Sequence, residues 1–308
     1  MGESYPGRVR SPRAADSETR ATGLATAGNH FYCTAAMPNI RLLSTDFDGT
    51  LIGFDSDGRC SPDFAVAISE YHEAGGLWAV NTGRSVEHAV QGLRRFQPPI
   101  MPDFLLTCER EVYRRLSDGQ WEAHGHWNET CRQRHEELYS LAEELYAVIA
   151  DRAGKRGGIE MIWEEGRLVG FVTRTEEVME AFLKEVDLLS ADFVDFSYQR
   201  NTVYLRFCHR DYHKGSALGE LCRLEGLDAG WVLAAGDHYN DIPMLDGRHA
   251  RHAACPANAI EAVKHRVRLS GGYIAERNYA DGVADALAFF ERKEAEGFRS
   301  TASVGIVM

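Results

Sequence analysis

The sequence lacks several features that define large classes of protein. None of its apolar runs reaches the roughly 18 residues that a membrane-spanning helix needs, so we do not expect a transmembrane protein. Acidic side chains outnumber basic ones among its 308 residues, and the formal net charge of -12 leaves no electrostatic footprint for a nucleic-acid backbone. We therefore expect neither a membrane nor a nucleic acid as partner.

Cysteine shows no sign of pairing. The seven cysteines are odd in number, widely scattered and never arranged as a C-x-x-C pair. This pattern argues against a disulfide framework and a zinc site, and it favours a reduced, cytoplasmic setting. Residues 1–38 have no periodic apolar pattern and no secretory-leader pattern, so they predict a disordered tail, with Met37 as an alternative start of translation.

Short apolar runs alternate with helical segments in two parts of the chain. The runs at 40–45 and 77–80 flank a segment in which Ser61 and Pro62 form a helix-start pattern. A third apolar run lies at 231–235. Strands that alternate with helices predict an α/β fold with a doubly wound parallel sheet of Rossmann type.

The middle of the chain follows a different order. The residue pattern of this segment indicates the order helix, strand, strand, helix, strand, strand. That order predicts an inserted α+β module. The predicted helices are 129–152 and 176–189, and the predicted strands are 158–164, 168–173, 193–198 and 202–207. The predicted domains are a tail at 1–38, a catalytic core at 39–124 and 210–295, a cap at 125–209 and a C-terminal tail at 296–308.

Two carboxylates stand two residues apart where the first apolar run ends, in Asp46-Phe47-Asp48-Gly49-Thr50. In extended backbone, positions i and i+2 share a face, so Asp46 and Asp48 can point into one crevice at the carboxyl end of the sheet. Gly49 allows a sharp turn there. The alternatives are a plain turn or a calcium loop, but the further acidic ligands of an EF-hand are not at the right spacing.

The carboxylate pair has a chemical consequence. Asp46 and Asp48 would repel each other and a phosphate, so we expect a hard divalent cation, and Mg2+ suits oxygen ligands and substrate phosphates. We expect Asp46 to attack phosphorus, while Asp48 protonates the leaving oxygen and later deprotonates the hydrolytic water. The pair therefore predicts a phosphoryl-transfer site.

Two further segments offer groups that could hold a phosphate. Thr82 and Gly83 follow the second apolar run and precede a helix, where a hydroxyl and free backbone N–H groups bind anions. Ordinary helix capping by Thr82 or Ser85 is the alternative. Lys214 opens a helix after the inserted module, a position that the helix dipole disfavours unless an anion compensates. The alternative there is a solvated surface lysine.

A fourth signal follows the third apolar run. Asp237, at a buried strand end, is expected to complete the metal site, and Asn240 and Asp241 are expected to orient ligands or water. Helix capping is the alternative for Asn240 and Asp241, but it does not account for Asp237. We expect all four signals to meet at one edge of one sheet.

As a set, these motifs resemble those of the haloacid dehalogenase superfamily of phosphotransferases. The interval between Arg84 and Lys214 is where members with a C2 cap carry their insertion, and its segments resemble the cap of Cof-like and sucrose-phosphatase-like members of type IIB. The first motif is matched by Asp46-Phe-Asp48-Gly-Thr50, the second by Thr82, the third by Lys214 and the fourth by Gly236-Asp237-x-x-Asn240-Asp241.

The resemblance implies an aspartyl-phosphate mechanism with defined roles. The segment Thr107-Cys108-Glu109-Arg110 departs from the Asn-Gly-Ala common in Cof-like members and is nearer to sucrose-phosphatase relatives, which favours a sugar phosphate as substrate. The implied roles are nucleophile and metal ligand for Asp46, acid/base and carbonyl ligand for Asp48, metal ligand for Asp237, phosphate binding for Thr82 and Lys214, and support for Asn240 and Asp241.

These expectations define one function and two alternatives. We expect a Mg2+-dependent phosphomonoester hydrolase, monomer or homodimer, whose partner is a small soluble phosphate ester. One alternative is a phosphosugar mutase that resembles phosphomannomutase and returns the phosphoryl group to sugar. The other is a non-catalytic sugar-phosphate sensor, against which the intact pair of Asp46 and Asp48 argues.

Overall fold

The computed structural model describes residues 38–53 and 57–303, with side chains described as far as Lys293. The predicted tail at 1–38 therefore lies outside the described residues, except for Pro38. Among the described helices, none combines the length and the apolar character that a membrane span requires.

The first part of the core alternates strands and helices as predicted and then adds a hairpin. Ser61 caps the first helix by accepting a hydrogen bond from Phe64 N at 3.2 Å, and Pro62 occupies the first turn. The elements are β1 (Leu42–Thr45), α1 (Pro62–Glu73), β2 (Leu77–Asn81), α2 (Val86–Phe96), β3 (Phe104–Thr107), β4 (Glu111–Arg115) and β5 (Trp121–Ala123).

The inserted module contains its own antiparallel sheet, in which its four strands lie in the order first, second, fourth, third. Its three helices cover this sheet and share one apolar cluster with it, which includes Ile149, Phe171, Phe182 and Phe207. The elements are α3 (Trp127–Leu141), α4 (Glu143–Lys155), β6 (Ile159–Glu164), β7 (Arg167–Thr173), α5 (Glu176–Leu189), β8 (Phe196–Asn201) and β9 (Tyr204–His209).

The prediction of one helix over 129–152 was wrong. The helix breaks at Ala142, whose backbone angles (φ -106°, ψ 20°) are not helical, and α4 begins at the next residue. Ala142 is buried, and both Leu138 before the break and Ile149 after it pack into the cap cluster. Since alanine is the strongest helix former, tertiary packing and not local propensity sets this break.

The second part of the core returns to the α/β pattern. Its elements are α6 (Lys214–Glu225), β10 (Val232–Ala235), β11 (His252–Cys255), α7 (Glu261–Leu269), β12 (Tyr273–Ile274) and α8 (Tyr279–Ser303), with short 3-10 helices at Ala229–Trp231 and Tyr239–Met244. Helix α8 continues into the segment that was predicted as a C-terminal tail.

The core sheet has the order β12-β11-β10-β1-β2-β3-β4-β5. Its first six strands are parallel, whereas β4 and β5 extend it as an antiparallel hairpin that the sequence patterns did not predict. Apolar clusters cover both faces: Leu42 packs on one side with Leu218 of α6, and Leu43 packs on the other with Phe64 of α1. The predicted α/β class with a doubly wound core and an inserted α+β module is confirmed. The exact domain boundaries stay a prediction.

This order places the polar loops together. Strand β1 pairs with β10 on one side and with β2 on the other, all in parallel. Their carboxyl ends therefore open at the same edge, as is usual for ligand sites in open α/β sheets.

Candidate active site

The centre of the candidate site is a buried ammonium between two carboxylates. Lys214 Nζ donates to Asp46 Oδ1 at 2.6 Å and to Asp241 Oδ1 at 2.7 Å. The Lys214 side chain is completely buried, so the surface-lysine alternative is wrong. Burial by itself would lower the pKa of Lys214, but Asp241 and Asp46 raise it above its usual range. The lysine is therefore a fixed positive charge beside Asp46.

Asp241 also organises the loop that follows β10. Its second oxygen accepts hydrogen bonds from the backbone N–H of Asp237 at 2.8 Å and of His238 at 2.9 Å. The capping alternative for Asp241 is thus correct in geometry, yet the same carboxylate also binds Lys214. One side chain joins the start of α6 to the loop after β10.

Asp237 packs directly on the loop after β1. Thr50 Oγ1 donates to Asp237 Oδ1 at 2.7 Å, in a buried contact. Gly49 has φ 90°, and a Cβ there would lie 2.3 Å from Asp237 Oδ2. Glycine at this position therefore allows both the backbone conformation and the close approach of the Asp237 carboxylate.

Three carboxylates form an acidic cluster that suits a divalent cation. Oxygens of Asp46, Asp237 and Asp241 all lie within 4.8 Å of one another. Burial, followed by the charge of Asp241, raises the pKa of Asp237 to about 7. Burial also raises the pKa of Asp46 well above its usual range, although Lys214 opposes the shift. One lysine does not balance three buried carboxylates, and a hard cation with oxygen ligands, such as Mg2+, fits this donor set.

The carboxylate of Asp48 lies outside this cluster. Arg84 holds it through two hydrogen bonds, from Nε at 2.7 Å and from Nη2 at 2.5 Å. The guanidinium also stacks over the ring of Phe47, 4.9 Å from its centroid. Only the backbone carbonyl of Asp48 was expected to bind the metal, and that role stays a prediction. The bidentate partner was missed, although Arg84 lies inside the segment that drew attention to Thr82.

Thr82 and Gly83 lie at the end of β2, beside the end of β1. Thr82 is buried, and its hydroxyl accepts a hydrogen bond from Arg84 N at 3.2 Å, as in ordinary loop capping. Asn81 Nδ2 donates to the carbonyl of Lys214 at 3.0 Å, which ties the start of α6 to this strand end. The structure therefore brings Lys214 to the same edge as Thr82, while their phosphate-binding role stays a prediction.

Glu109 is a further acidic residue at this edge that the sequence reasoning did not assign to the site. Asn240 Nδ2 donates to Glu109 Oε1 at 2.7 Å. The sequence offered one signal for this role, the apolar run at 104–107 that forms β3. Glu109 comes shortly after β3, just as Asp46 comes after β1. Recognising β3 as another parallel strand would have placed this carboxylate with the others.

Comparison with known proteins agrees with this geometry. A family model described as haloacid dehalogenase-like hydrolase matches residues 167–287. The sucrose-phosphatase of Synechocystis, solved with sucrose and phosphate, superposes with a TM-score of 0.62 at 19% identity, over 83% of this chain and 99% of that one. By sequence match and fold, the chain is similar to haloacid dehalogenase-like hydrolases, with the family model covering less than half of its 308 residues.

Two further similar proteins point in the same direction. A subclass IIB sugar phosphatase of the haloacid dehalogenase superfamily superposes with a TM-score of 0.58 at 18% identity, over 81% of this chain and 98% of that one. A phosphoglycolate phosphatase of Methanosarcina acetivorans is 31% identical over 109 residues, which are 35% of this chain and 43% of that relative. The match thus spans less than half of the relative's length. The structural likenesses establish the fold, and the family match supports the expected enzyme class.

The β8–β9 hairpin of the cap contacts the loop that follows β10. A hydrogen bond of 2.8 Å joins Thr202 Oγ1, in the β8–β9 turn, to Nε2 of His238, the residue after Asp237. Arg200 stacks over the ring of Tyr239, with its guanidinium carbon 4.5 Å from the ring centroid. The hairpin therefore contacts the loop that carries Asp237 and its neighbours.

A polar cavity of about 520 Å3 lies between the cap and the segment that follows Glu109. Two of its arginines form ion pairs with glutamates of the cap, Arg206 with Glu164 and Arg167 with Glu136. Arg110, the residue after Glu109, lines the same cavity. The cavity offers hydrogen-bond donors and acceptors side by side, which suits a ligand rich in hydroxyl groups.

Proposed function

We propose that this protein is a Mg2+-dependent phosphomonoester hydrolase that forms an aspartyl-phosphate on Asp46 and acts on a sugar phosphate. The observation that carries the proposal is the buried Asp46 carboxylate, which Lys214 holds at 2.6 Å beside two further carboxylates. A buried, positioned carboxylate next to a fixed cation is suited to attack an electrophilic phosphorus.

The first half of the reaction transfers the phosphoryl group to the enzyme. A carboxylate oxygen of Asp46 forms a bond to phosphorus while the bond from phosphorus to the ester oxygen breaks. Protonated Asp48 gives its proton to that leaving oxygen, so the alcohol departs neutral. Lys214, with Thr82 and Gly83 at the end of β2, holds the phosphoryl oxygens.

The second half releases phosphate. Ionised Asp48 takes a proton from a water molecule, whose oxygen attacks phosphorus and breaks its bond to Asp46. Arg84 keeps the Asp48 carboxylate in one orientation through its two hydrogen bonds.

Asp46 and Asp237, with the carbonyl of Asp48, would hold Mg2+, and Asp241 would support the site. The bound ion would offset the negative charges of the carboxylates and of the phosphate. This is consistent with the raised pKa values of Asp46 and Asp237, which burial causes first and the charge of Asp241 increases.

The sugar part of the proposal rests on the cap-side cavity. Its ion pairs present guanidinium donors beside carboxylate acceptors, as in Arg206 with Glu164, and such alternation matches vicinal hydroxyl groups. The structural likeness to a sucrose-phosphatase solved with sucrose and phosphate agrees with this choice.

The setting and assembly of the protein are part of the same proposal. We place the enzyme in the cytoplasm, as a monomer or homodimer with a small soluble partner. In the described residues six cysteines are free thiols, which agrees with a reducing compartment.

The test is phosphate release from a panel of phosphate esters, with Mg2+ and with EDTA, for the wild type and for Asp46→Asn. We expect release that depends on the metal and falls by at least about a thousandfold in the variant, because the amide is a poor nucleophile. Asp151→Asn, at an exposed cap position, serves as the matched control and should retain full activity. Unchanged turnover in Asp46→Asn would overturn the mechanism, and preference for non-sugar esters would overturn the substrate class.

A further inference from the structure

The turn that carries Glu109 has an unusual backbone. Cys108 and Glu109 have φ angles of 50° and 63°, in the left-handed region that residues other than glycine seldom adopt. Cys108 N donates to the carbonyl of Arg84 at 2.9 Å, and Glu109 N donates to the carbonyl of Thr82 at 3.0 Å. The turn is thus fixed against the Thr82–Arg84 loop. Strain of this kind persists where the surroundings over-determine the conformation, often at functional sites.

The Glu109 side chain points into the site between two of its loops. Its Oε1 accepts the hydrogen bond from Asn240 and lies 3.1 Å from the point where a Cβ on Gly83 would be. Burial raises the pKa of Glu109, while Lys214 and the Asn240 hydrogen bond favour its ionised form. A carboxylate therefore lies against Gly83, one of the proposed phosphate-binding residues.

A structural role alone does not call for this charge. A neutral amide oxygen could accept the Asn240 hydrogen bond equally well, and glycine would suit the backbone better. The negative charge of Glu109 has a separate consequence. It repels a phosphate anion that approaches Gly83 and Lys214.

We propose that Glu109 is a specificity-determining residue that weakens the binding of free orthophosphate relative to phosphate esters. An ester compensates for the repulsion through contacts of its leaving group in the cavity that Arg110, the next residue, helps to line. Orthophosphate makes no such contacts, so it leaves the site readily. The inference rests on the proposed function and adds discrimination between substrate and product.

The test measures the binding of inorganic phosphate by calorimetry in the presence of Mg2+, which requires no turnover. Glu109→Gln keeps an oxygen for Asn240 and removes the charge, and we expect its Kd for inorganic phosphate to fall about tenfold. Glu109→Gly removes the charge and relieves the backbone strain, so its Kd should fall as well. Glu122→Gln, an exposed carboxylate of β5, is the matched control and should bind like the wild type.

Each outcome separates the two proposals. A Kd that is unchanged or higher in both Glu109 variants overturns the specificity role, even if the wild type hydrolyses esters. Weaker binding confined to Glu109→Gly overturns it too, since that result means that Glu109 only orients Asn240. Tighter phosphate binding by both Glu109 variants, in a protein that turns over no ester, would support the repulsion between Glu109 and phosphate and would overturn the proposed hydrolase.

Discussion

Two lysine–aspartate pairs of equal length occupy opposite environments in this molecule. In the core, Lys214 Nζ lies 2.6 Å from Asp46, with side-chain exposures of 0% and 7%. In the cap, Lys155 Nζ lies 2.6 Å from Asp151, with exposures of 72% and 55%. The distances are the same, so the difference between the pairs comes from burial.

The comparison shows why the core pair is chemically useful. Water and salt screen the cap pair, so it contributes little to stability. The core pair has lost its water, and each charge depends on the other and on Asp241. An unscreened pair of this kind can fix a nucleophile in place, whereas an exposed pair cannot.

The largest expected effect is on stability, and it comes from neutralising the buried lysine of the core pair. Lys214→Met leaves Asp46, Asp237 and Asp241 buried without their cation, so the free energy of unfolding should fall by about 3 to 5 kcal/mol in metal-free buffer. Lys155→Met, the matched change in the cap, should alter it by less than about 0.5 kcal/mol. Urea unfolding of both variants measures the difference. Equal losses would contradict the argument from burial.

An intermediate effect is expected for the partly exposed pair of Arg84 and Asp48, with side-chain exposures of 31% and 29%. Arg84→Met removes both hydrogen bonds that orient the proposed acid/base, so kcat should fall about 10- to 100-fold with little change in stability. The kcat of Arg84→Lys should lie between those of the wild type and Arg84→Met, because an ammonium keeps the charge but does not form the bidentate contact. Steady-state kinetics on the best ester provides the measurement, with exposed Arg95→Met as control. A kcat that does not change would mean that Asp48 works without this partner.

The smallest effect concerns the β8–β9 hairpin, by which the cap contacts the loop after β10. Thr202→Val keeps the side-chain shape but removes the hydroxyl bonded to His238, which should raise KM a few-fold and lower stability by about 1 kcal/mol. Tyr198→Phe removes another cap hydroxyl, which bonds to exposed Asp187 at the same 2.8 Å. Its KM should stay at the wild-type value. If both variants raise KM alike, the Thr202 contact has no special role.

Much of the site was predictable because its residues follow strands. Apolar runs that end in Asp46, Thr82 or Asp237 identify buried parallel strands, and parallel strands end at a common edge. The start of α1 was equally readable, because Ser61 and Pro62 act locally. Such signals depend on a few adjacent residues and do not require knowledge of the rest of the fold.

Other features escaped prediction because they depend on distant partners. The break at Ala142 contradicts local helix propensity and arises where two helices pack on one cap sheet. The partnership of Arg84 with Asp48 joins residues 36 positions apart, and that of Glu109 with Asn240 joins residues 131 positions apart. Spacing along the chain carries no information about either contact.

The sequence by itself determined the α/β class, the inserted module and the set of carboxylates at the strand ends, since local periodicity and short motifs encode them. Only the tertiary structure decided how the charges are shared. Lys214 forms ion pairs with both Asp46 and Asp241, and Asp48 forms one with Arg84. The Glu109 carboxylate lies next to Gly83. The physical reason is that the energy of a charge depends on its burial and on its neighbours in space, which are fixed only when the strands and loops pack.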